Sequence, residues 1–255
     1  MCSHYQAEKR RKQLERMGIK LPPDWVPPPG GMHIHPTVKA PFIRRPPERA
    51  SGDDAVPDLE LAEGRFGLLP SFAPDIRYAQ KWRTYNARSE TVNKKRSFSD
   101  AWTKARHCIV PCEAIYEPDW RTGEHIPTRF AAASDEALGV AGIWSPWKNP
   151  ETLEWELTFA MLTINADTHP LFNLMHRPDP SRPPDQQDKR MVVILPEAQF
   201  GEWLDAPAEH SMSFMNPFPA ERLVMTPEPL PPKAPKVSKA KAKEAAFQSA
   251  QQSLF

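Results

Sequence analysis

The sequence predicts an α+β domain built on a mostly antiparallel, barrel-like sheet with a few flanking helices. Two observations lead to this prediction. The 255 residues include 31 prolines but only 10 glycines. Because proline interrupts regular helices, this ratio favours short strands joined by rigid loops. Strand-like runs also recur along the chain with a few helix-like segments between them, which is typical of an α+β domain.

The first 57 residues contain a segment rich in helix formers followed by a segment rich in proline. Residues 5–20 contain no proline, are rich in helix formers and reach a glycine at Gly18, which predicts a short basic helix displayed on the surface. Its positive charges could face a polyanion or simply be solvated. Residues 21–57 should be extended, with short strands near 32–34 and 41–43.

The middle of the chain alternates between strand-like and helix-like segments. Residues 59–69 predict a strand or hairpin, residues 75–82 a short helical turn, and the polar residues 85–91 a loop or helix start. A helix is expected at 98–106, with Ser99 or Asp100 as its cap. Strand-like runs follow at 107–111, 114–116, 126–133, 138–144, 155–164 and 191–195.

Composition limits the classes of function. The net charge is only +1, so binding to nucleic acid requires a local basic patch. No apolar run approaches the roughly 18 residues of a membrane span and no export signal follows Met1, so we expect a cytoplasmic, nucleoid-associated protein. Three cysteines fit a reducing compartment. Cys108 and Cys112 are interpreted as small hydrophobic residues of a buried strand.

The predicted domain covers residues 1–225, and residues 226–255 are expected to form a flexible basic tail. Residues 227–243 are nearly all Pro, Lys, Ala, Glu, Val and Ser, a composition that cannot bury enough surface to fold. No metal site and no cofactor are predicted. His33 and His35 would share one face of a strand, but no third ligand accompanies them, so we expect a structural or surface role.

The first two residues carry a chemical signal. Trimming of Met1 would leave Cys2 with a free α-amine and a thiol on adjacent carbons. Such a 1,2-aminothiol can condense with an aldehyde to an imine and then close a thiazolidine ring. The dipeptide alone is weak evidence, because a cysteine at position 2 also occurs by chance.

Four blocks strengthen this signal when they are taken together: Met1-Cys2; Asn86-Ala87-Arg88-Ser89-Glu90-Thr91; Arg106-His107-Cys108-Ile109-Val110-Pro111 leading to Tyr116-Glu117; and Thr163-Ile164-Asn165-Ala166 running on to His176. In this order they resemble the SOS response-associated peptidase (SRAP) family over roughly residues 1–225. Members begin Met-Cys and carry Asn-Ala-Arg-x-Glu-Thr, Arg-Cys-hydrophobic-hydrophobic-Pro, Tyr-Glu-Trp and a late histidine. The joint occurrence is more specific than any one block.

The resemblance implies covalent capture of abasic sites in single-stranded DNA, through a thiazolidine between Cys2 and the sugar aldehyde. The protein would then be a self-modifying, lyase-like or peptidase-like enzyme that acts as a monomer. Glu117 would act as general acid and base, His176 would transfer protons at the ring oxygen and imine, and Asn86 would orient the terminal amine. These residues and Cys2 form the predicted catalytic set.

The resemblance also implies a set of DNA-binding residues. Arg88 would hold a phosphate, unless it forms a salt bridge to Glu90 instead. His4 stands where the family has an arginine, and Phe72 stands for a family tryptophan that could stack on a base or pack in the core. Arg106 completes the set. Residues 177–188 depart from the family pattern as an insertion after the histidine.

The last five residues resemble the pentapeptide with which bacterial proteins bind the sliding clamp. Gln251, Leu254 and Phe255 match it and Gln252 departs from it. Leu254 and Phe255 would fill an apolar pocket while the tail serves as a tether. A five-residue motif also matches by chance.

Two other functions remain open at this point. One is a thiol peptidase that uses Cys2 to remove its own initiator methionine or to cleave other proteins. The other is a non-catalytic module that binds single-stranded DNA and is recruited to the clamp by its tail.

Overall fold

The computed structural model describes residues 2–27 and 32–229. The strands are β1 (His4–Ala7), β2 (His33–Ile34), β3 (Lys39–Arg44), β4 (Glu60–Phe66), β5 (Asn86–Arg88), β6 (His107–Asp119), β7 (Ile126–Ala132), β8 (Leu138–Lys148), β9 (Trp155–Asn165), β10 (Arg190–Val192), β11 (Ile194–Leu195) and β12 (Leu223–Pro227). The α-helices of the described ranges are α1 (Arg11–Arg16), α2 (Arg77–Trp82), α3 (Ser99–Thr103) and α4 (Phe200–Asp205).

Five strands close a barrel in the order β8, β9, β4, β3 and β6, with β6 returning to pair with β8. Neighbouring strands are antiparallel, except that β9 runs parallel to β4 and to β5. The long strands β6, β8 and β9 are apolar over most of their length because both of their faces are covered. The predicted α+β domain with a mostly antiparallel, barrel-like sheet is confirmed.

Several predicted elements are present where the sequence indicated them. The short strands near 32–34 and 41–43 are β2 and β3, and the helical turn is α2. The runs 107–111 and 114–116 are a single strand of 13 residues, β6. Cys108 and Cys112 lie in β6 with no exposed surface, as expected of small hydrophobic residues.

The predicted surface helix over residues 5–20 is wrong in its first part. His4–Ala7 is strand β1, which pairs with β6, and the helix covers only Arg11–Arg16. Tyr5 and Ala7 point into the core in alternation, so pairing with β6 overrides the local helix propensity. Helix α1 is also not a purely surface element, because Leu14 is fully buried.

Three further predictions are corrected. The 85–91 segment was expected to be a loop or a helix start. Its first half is instead a strand, because Asn86–Arg88 forms β5 against β9. Helix α3 has Phe98 at its N-cap position and no side-chain cap, so neither Ser99 nor Asp100 caps it. The 191–195 run is divided between β10 and β11, since Val193 bridges β9 and β8 through its backbone.

The end of the described chain belongs to the sheet. Strand β12 pairs with β7, so the predicted domain boundary after residue 225 falls inside a strand. Most of the predicted tail, including Gln251, Leu254 and Phe255, lies outside the described residues. Within the described ranges, no helix is long and apolar enough to cross a membrane.

Candidate active site

Strand pairing brings Cys2 to the predicted catalytic residues. Strand β1 runs antiparallel to β6 with His4 opposite Tyr116, so the residue that precedes β1 lies beside the stretch of β6 that contains Glu117. Cys2 has no exposed surface, and its thiol donates to the backbone oxygen of His4 at 3.3 Å. The β1–β6 register therefore fixes the aminothiol against the barrel.

Asn86 reaches Cys2 from a different strand. It opens β5, whose parallel pairing with β9 holds it opposite Met161. Its side-chain amide nitrogen donates to the backbone oxygen of Cys2 at 2.6 Å. The amide oxygen, Oδ1, is buried and has no hydrogen-bond partner among the described residues. Asn86 therefore fixes the backbone of Cys2 through its amide nitrogen, and its amide oxygen remains available to accept a hydrogen bond.

Glu117 and His176 form the third part of the site. The His176 Nε2 atom lies 2.7 Å from a carboxylate oxygen of Glu117, whose side chain is completely buried. His176 adopts a left-handed backbone conformation, with φ of 62°, and its N–H donates to the oxygen of Pro118 at 2.7 Å. This backbone contact ties the histidine loop to β6 next to Glu117.

Lys189 contacts the backbone of the segment that contains His176. Its buried ammonium donates to the backbone oxygens of Met175 at 2.5 Å and of His176 at 2.8 Å. Burial lowers the pKa of Lys189, and Asp167 opposes this shift. Sequence reasoning missed this residue: it follows the 177–188 insertion, and nothing in the local sequence indicates that its amine returns to His176.

The charges at the site favour a protonated thiol beside an ionised carboxylate. Burial and the Glu117 carboxylate raise the pKa of the Cys2 thiol to about 12. Burial also works against ionisation of Glu117, but the positive amino terminus of the chain and the His176 ring outweigh it and place the Glu117 pKa below its ordinary value. A thiolate therefore forms at Cys2 only when a neighbouring base accepts its proton.

A cavity of about 850 Å³ has Glu117 and His176 in its wall, together with Ser3, the neighbour of the buried Cys2; Cys2 and Asn86 do not line it. His4 also lines it and stacks on Tyr116, with ring centroids 4.2 Å apart. His33 and His35, for which the sequence predicted only a structural or surface role, line it as well.

The histidines of this cavity contact one another. His4 stacks on His35 at 4.4 Å, and its Nε2 lies 2.8 Å from Nδ1 of His33. Burial and the two neighbouring imidazoles lower the pKa of His4 to about 4. His4 is consequently neutral at physiological pH, unlike the arginine of the family pattern.

The predicted DNA-binding arginine Arg88 pairs with Asp188, its nitrogen 2.8 Å from the carboxylate, and its side chain remains 43% exposed. The alternative salt bridge from Arg88 to Glu90 is wrong. Glu90 instead accepts two hydrogen bonds from Arg190, at 2.8 and 2.9 Å. Arg88 therefore lies at the surface next to the 177–188 insertion.

Phe72 and Arg106 do not line the cavity that contains Glu117 and His176. Phe72 is half exposed, with the guanidinium carbon of Arg96 4.0 Å from its ring centroid. Arg106 pairs with Asp100 at 3.0 Å and immediately precedes β6, whereas Glu117 lies near the other end of that strand. Arg106 and Glu117 are therefore separated by most of the length of β6.

The family model described as SOS response associated peptidase (SRAP) matches residues 1–228 of the chain. The chain belongs to this family. The resemblance of the four sequence blocks is thereby confirmed, and the β1–β6 pairing places the first block of this SRAP domain directly against the third.

Curated relatives of this SRAP protein include two named abasic site processing protein HMCES. The Gallus gallus protein is 27% identical over 66% of the chain, and the Xenopus tropicalis protein 23% identical over 62%. The matches cover 52% and 49% of those proteins, so the chain spans about half of their length.

Solved structures share the fold. A Bordetella bronchiseptica protein is 42% identical with a TM-score of 0.75, over 90% of this chain and all of that one. A Bacteroides thetaiotaomicron protein, at 22% identity and a TM-score of 0.60, covers 81% of this chain and 84% of its own. The second likeness concerns the fold alone.

Proposed function

We propose that this protein captures abasic sites in single-stranded DNA as a covalent adduct on Cys2 and so shields the lesion during replication and the DNA damage response. The observation that carries the proposal is the convergence of Asn86 and the Glu117–His176 pair on Cys2. Membership of the SRAP family and the names of the curated relatives, abasic site processing proteins, support it.

The reaction begins after removal of Met1, which frees the α-amine of Cys2. The amine attacks the aldehyde carbon of the ring-opened abasic sugar, and loss of one water gives an imine. The thiol sulfur then adds to the imine carbon and its proton ends on the ring nitrogen. One C–N and one C–S bond form, one water leaves, and no oxidant or reductant is required.

Asn86 and the Glu117–His176 pair supply orientation and proton transfer. The buried Oδ1 atom of Asn86 can accept a hydrogen bond from the freed amine. Opening of the sugar needs a proton delivered to the ring oxygen and one removed from the hydroxyl, which a paired carboxylate and imidazole provide. Glu117, whose charge acts on the Cys2 thiol, would take the thiol proton as the ring closes and pass it to the ring nitrogen.

Single-stranded DNA is the proposed partner, with His4 and Arg88 near the phosphates that flank the lesion. We extend the proposal to recruitment of a monomeric protein by the bacterial sliding clamp through Gln251, Leu254 and Phe255. Deletion of residues 251–255 should abolish capture of the full-length protein by immobilised clamp. Equal capture with and without these residues would exclude this route.

The thiol-peptidase alternative is less well supported. A cysteine peptidase needs a thiolate of lowered pKa, whereas burial and Glu117 raise the pKa of Cys2 to about 12. Aldehyde capture tolerates such a thiol because the amine attacks first and the sulfur follows within an intramolecular ring closure.

The test is incubation of the full chain with a single-stranded oligonucleotide that carries one abasic site, followed by denaturing electrophoresis. We expect a denaturation-resistant adduct with the unmodified chain and none with Cys2→Ala. The chain without an adduct, or Cys2→Ala with an equal one, would contradict the proposal.

A further inference from the structure

The last described residues of the chain lie against the cavity that Glu117 and His176 line. Strand β12 pairs with β7, and directly after it the N–H of Glu228 donates to the backbone oxygen of Pro127 at 2.8 Å. Glu228 is itself one of the residues that line the cavity. The part of the chain that follows Pro229 therefore starts from the wall of the proposed active site.

The side chain of Glu228 is joined to the same wall. Burial and the Glu228 carboxylate, which accepts a hydrogen bond from the Tyr116 hydroxyl, raise the pKa of Tyr116. The Tyr116 ring in turn stacks on His4, with ring centroids 4.2 Å apart. Backbone and side-chain contacts of Glu228 thus fix the point at which the chain leaves the cavity wall.

The charge of the chain is divided unevenly at this point. Residues 230–255 contain five lysines and one glutamate, which gives them a formal charge of +4. The formal charge of the whole chain is +1, so residues 1–229 have a formal charge of −3. A protein surface of net negative charge repels a polyanion unless cations are placed locally.

The cavity wall supplies few such cations. Among the described residues that line it, Arg83 is the only arginine or lysine, whereas Glu117 and Glu228 are acidic. His4 is neutral at physiological pH, because burial and two neighbouring imidazoles lower its pKa to about 4. The phosphates of a DNA strand that enters this cavity therefore meet little positive charge from the wall itself.

The five lysines of the tail follow this wall closely in the sequence. They are Lys233, Lys236, Lys239, Lys241 and Lys243. Because the chain spans at most about 3.6 Å per residue, Lys233 lies within about 18 Å of Glu228 and Lys243 within about 54 Å. Charges tethered so near a binding site act there at a high effective concentration.

We propose that these five lysines bind the phosphates of the DNA strand that occupies the cavity, so that residues 230–243 are part of the DNA-binding site. The inference rests on the proposed function and gives the tail a role in capture itself. This role is separate from clamp binding by residues 251–255, because it requires DNA alone.

The experiment measures adduct formation by the full chain on a single-stranded oligonucleotide with one interior abasic site, at several salt concentrations and without the clamp. The glutamine variant combines Lys233→Gln, Lys236→Gln, Lys239→Gln, Lys241→Gln and Lys243→Gln. An arginine variant replaces the same five lysines by arginine and keeps their charge. The matched control changes five exposed lysines that do not line the cavity, as Lys9→Gln, Lys12→Gln, Lys20→Gln, Lys104→Gln and Lys148→Gln.

We expect the glutamine variant to react about tenfold more slowly at low salt and subsaturating DNA. Its slope of log rate against log[salt] should be shallower by about 2 to 3, since each phosphate contact on a single strand contributes about 0.7. At saturating DNA its rate should equal that of the unmodified chain, because the lysines bind DNA and take no part in the reaction. The arginine variant and the matched control should behave as the unmodified chain throughout.

Three outcomes would overturn the inference. They are an unchanged salt slope in the glutamine variant, equal losses in the glutamine variant and the matched control, and an equal loss in the arginine variant. Each of them leaves the proposed function intact, because the unmodified chain still forms the adduct. Absence of any adduct with the unmodified chain would overturn both.

Discussion

The Nε2 atom of His176 lies 2.7 Å from the carboxylate of Glu117, although the two residues come from different parts of the chain. Glu117 is fixed by β6, and His176 is fixed by its left-handed backbone and its bond to Pro118. A carboxylate and an imidazole at this distance are within hydrogen-bond reach, so each fixes the position of the other. The chemistry proposed at Cys2 depends on that pair.

Because they act together, loss of one member should remove most of the effect of both. We expect Glu117→Gln and His176→Ala each to slow adduct formation by about 10²- to 10⁴-fold. The double variant should react no more slowly than the slower single variant. Rate constants from quenched time courses decide this, and multiplicative losses would show that the residues act independently.

The pH dependence follows from the lowered pKa of Glu117. Its carboxylate stays ionised at neutral pH and accepts a proton only below the ordinary value of 4.5. The rate of adduct formation should therefore keep the contribution of Glu117 from pH 5 upward and lose it as the pH falls further. Glu117→Gln should lack this acid limb in a pH–rate profile. If both proteins showed the same acid limb, a group other than Glu117 would be responsible for it.

Asn86→Ala removes the donor to the Cys2 carbonyl and leaves that oxygen buried. We expect a loss of about 1–3 kcal/mol in the free energy of unfolding and a slower capture reaction. Asn216→Ala is the control, because Asn216 makes a similar bond, to the oxygen of Ser213 at 2.7 Å, in an exposed segment. Denaturant titration and adduct kinetics test both variants. Equal stability of the two would contradict the role given to Asn86.

Lys189→Met should disturb the His176 loop, because the carbonyls of Met175 and His176 lose their buried donor. The expected cost is about 1–3 kcal/mol in the free energy of unfolding, together with slower adduct formation by the protein that remains folded. Lys148→Met, at an exposed position that ends β8, is the control. If Lys189→Met captured abasic DNA at the unmodified rate, Lys189 would have no part in positioning the histidine.

His4→Arg should strengthen binding to single-stranded DNA and make it more sensitive to salt. The pKa of His4 is lowered to about 4, so the imidazole is neutral at pH 7 and gains charge only as the pH approaches 4. Arginine stays charged throughout. Fluorescence anisotropy at several salt concentrations should show a slope of log K against log[salt] that is steeper by about 0.7 for one added phosphate contact. An unchanged slope would place His4 away from the phosphates.

The proposed catalytic residues can be located from the sequence because each belongs to a short block of neighbouring residues. Cys2, Asn86, Glu117 and His176 lie in such blocks, and the structure brings them together. Lys189 and the stacked histidines could not be predicted in this way. Their roles arise from contacts across long sequence separations, such as the bond between His4 and His33.

Local propensity also misled the prediction where tertiary pairing decides the structure. Residues 5–20 favour a helix, yet the first of them form β1 because β6 offers a partner and the core accepts Tyr5 and Ala7. The same pairing is what places Cys2 beside Glu117. Arg106 is close to Glu117 in sequence, but the extended strand β6 carries the two residues far apart.

The most direct test is mass spectrometry of the adduct after digestion of both protein and DNA. We predict that the sugar is attached to the peptide that begins with Cys2, without Met1, and that its mass equals peptide plus sugar fragment less one water. Attachment at any other residue, or an adduct on a peptide that still carries Met1, would contradict capture through the terminal aminothiol.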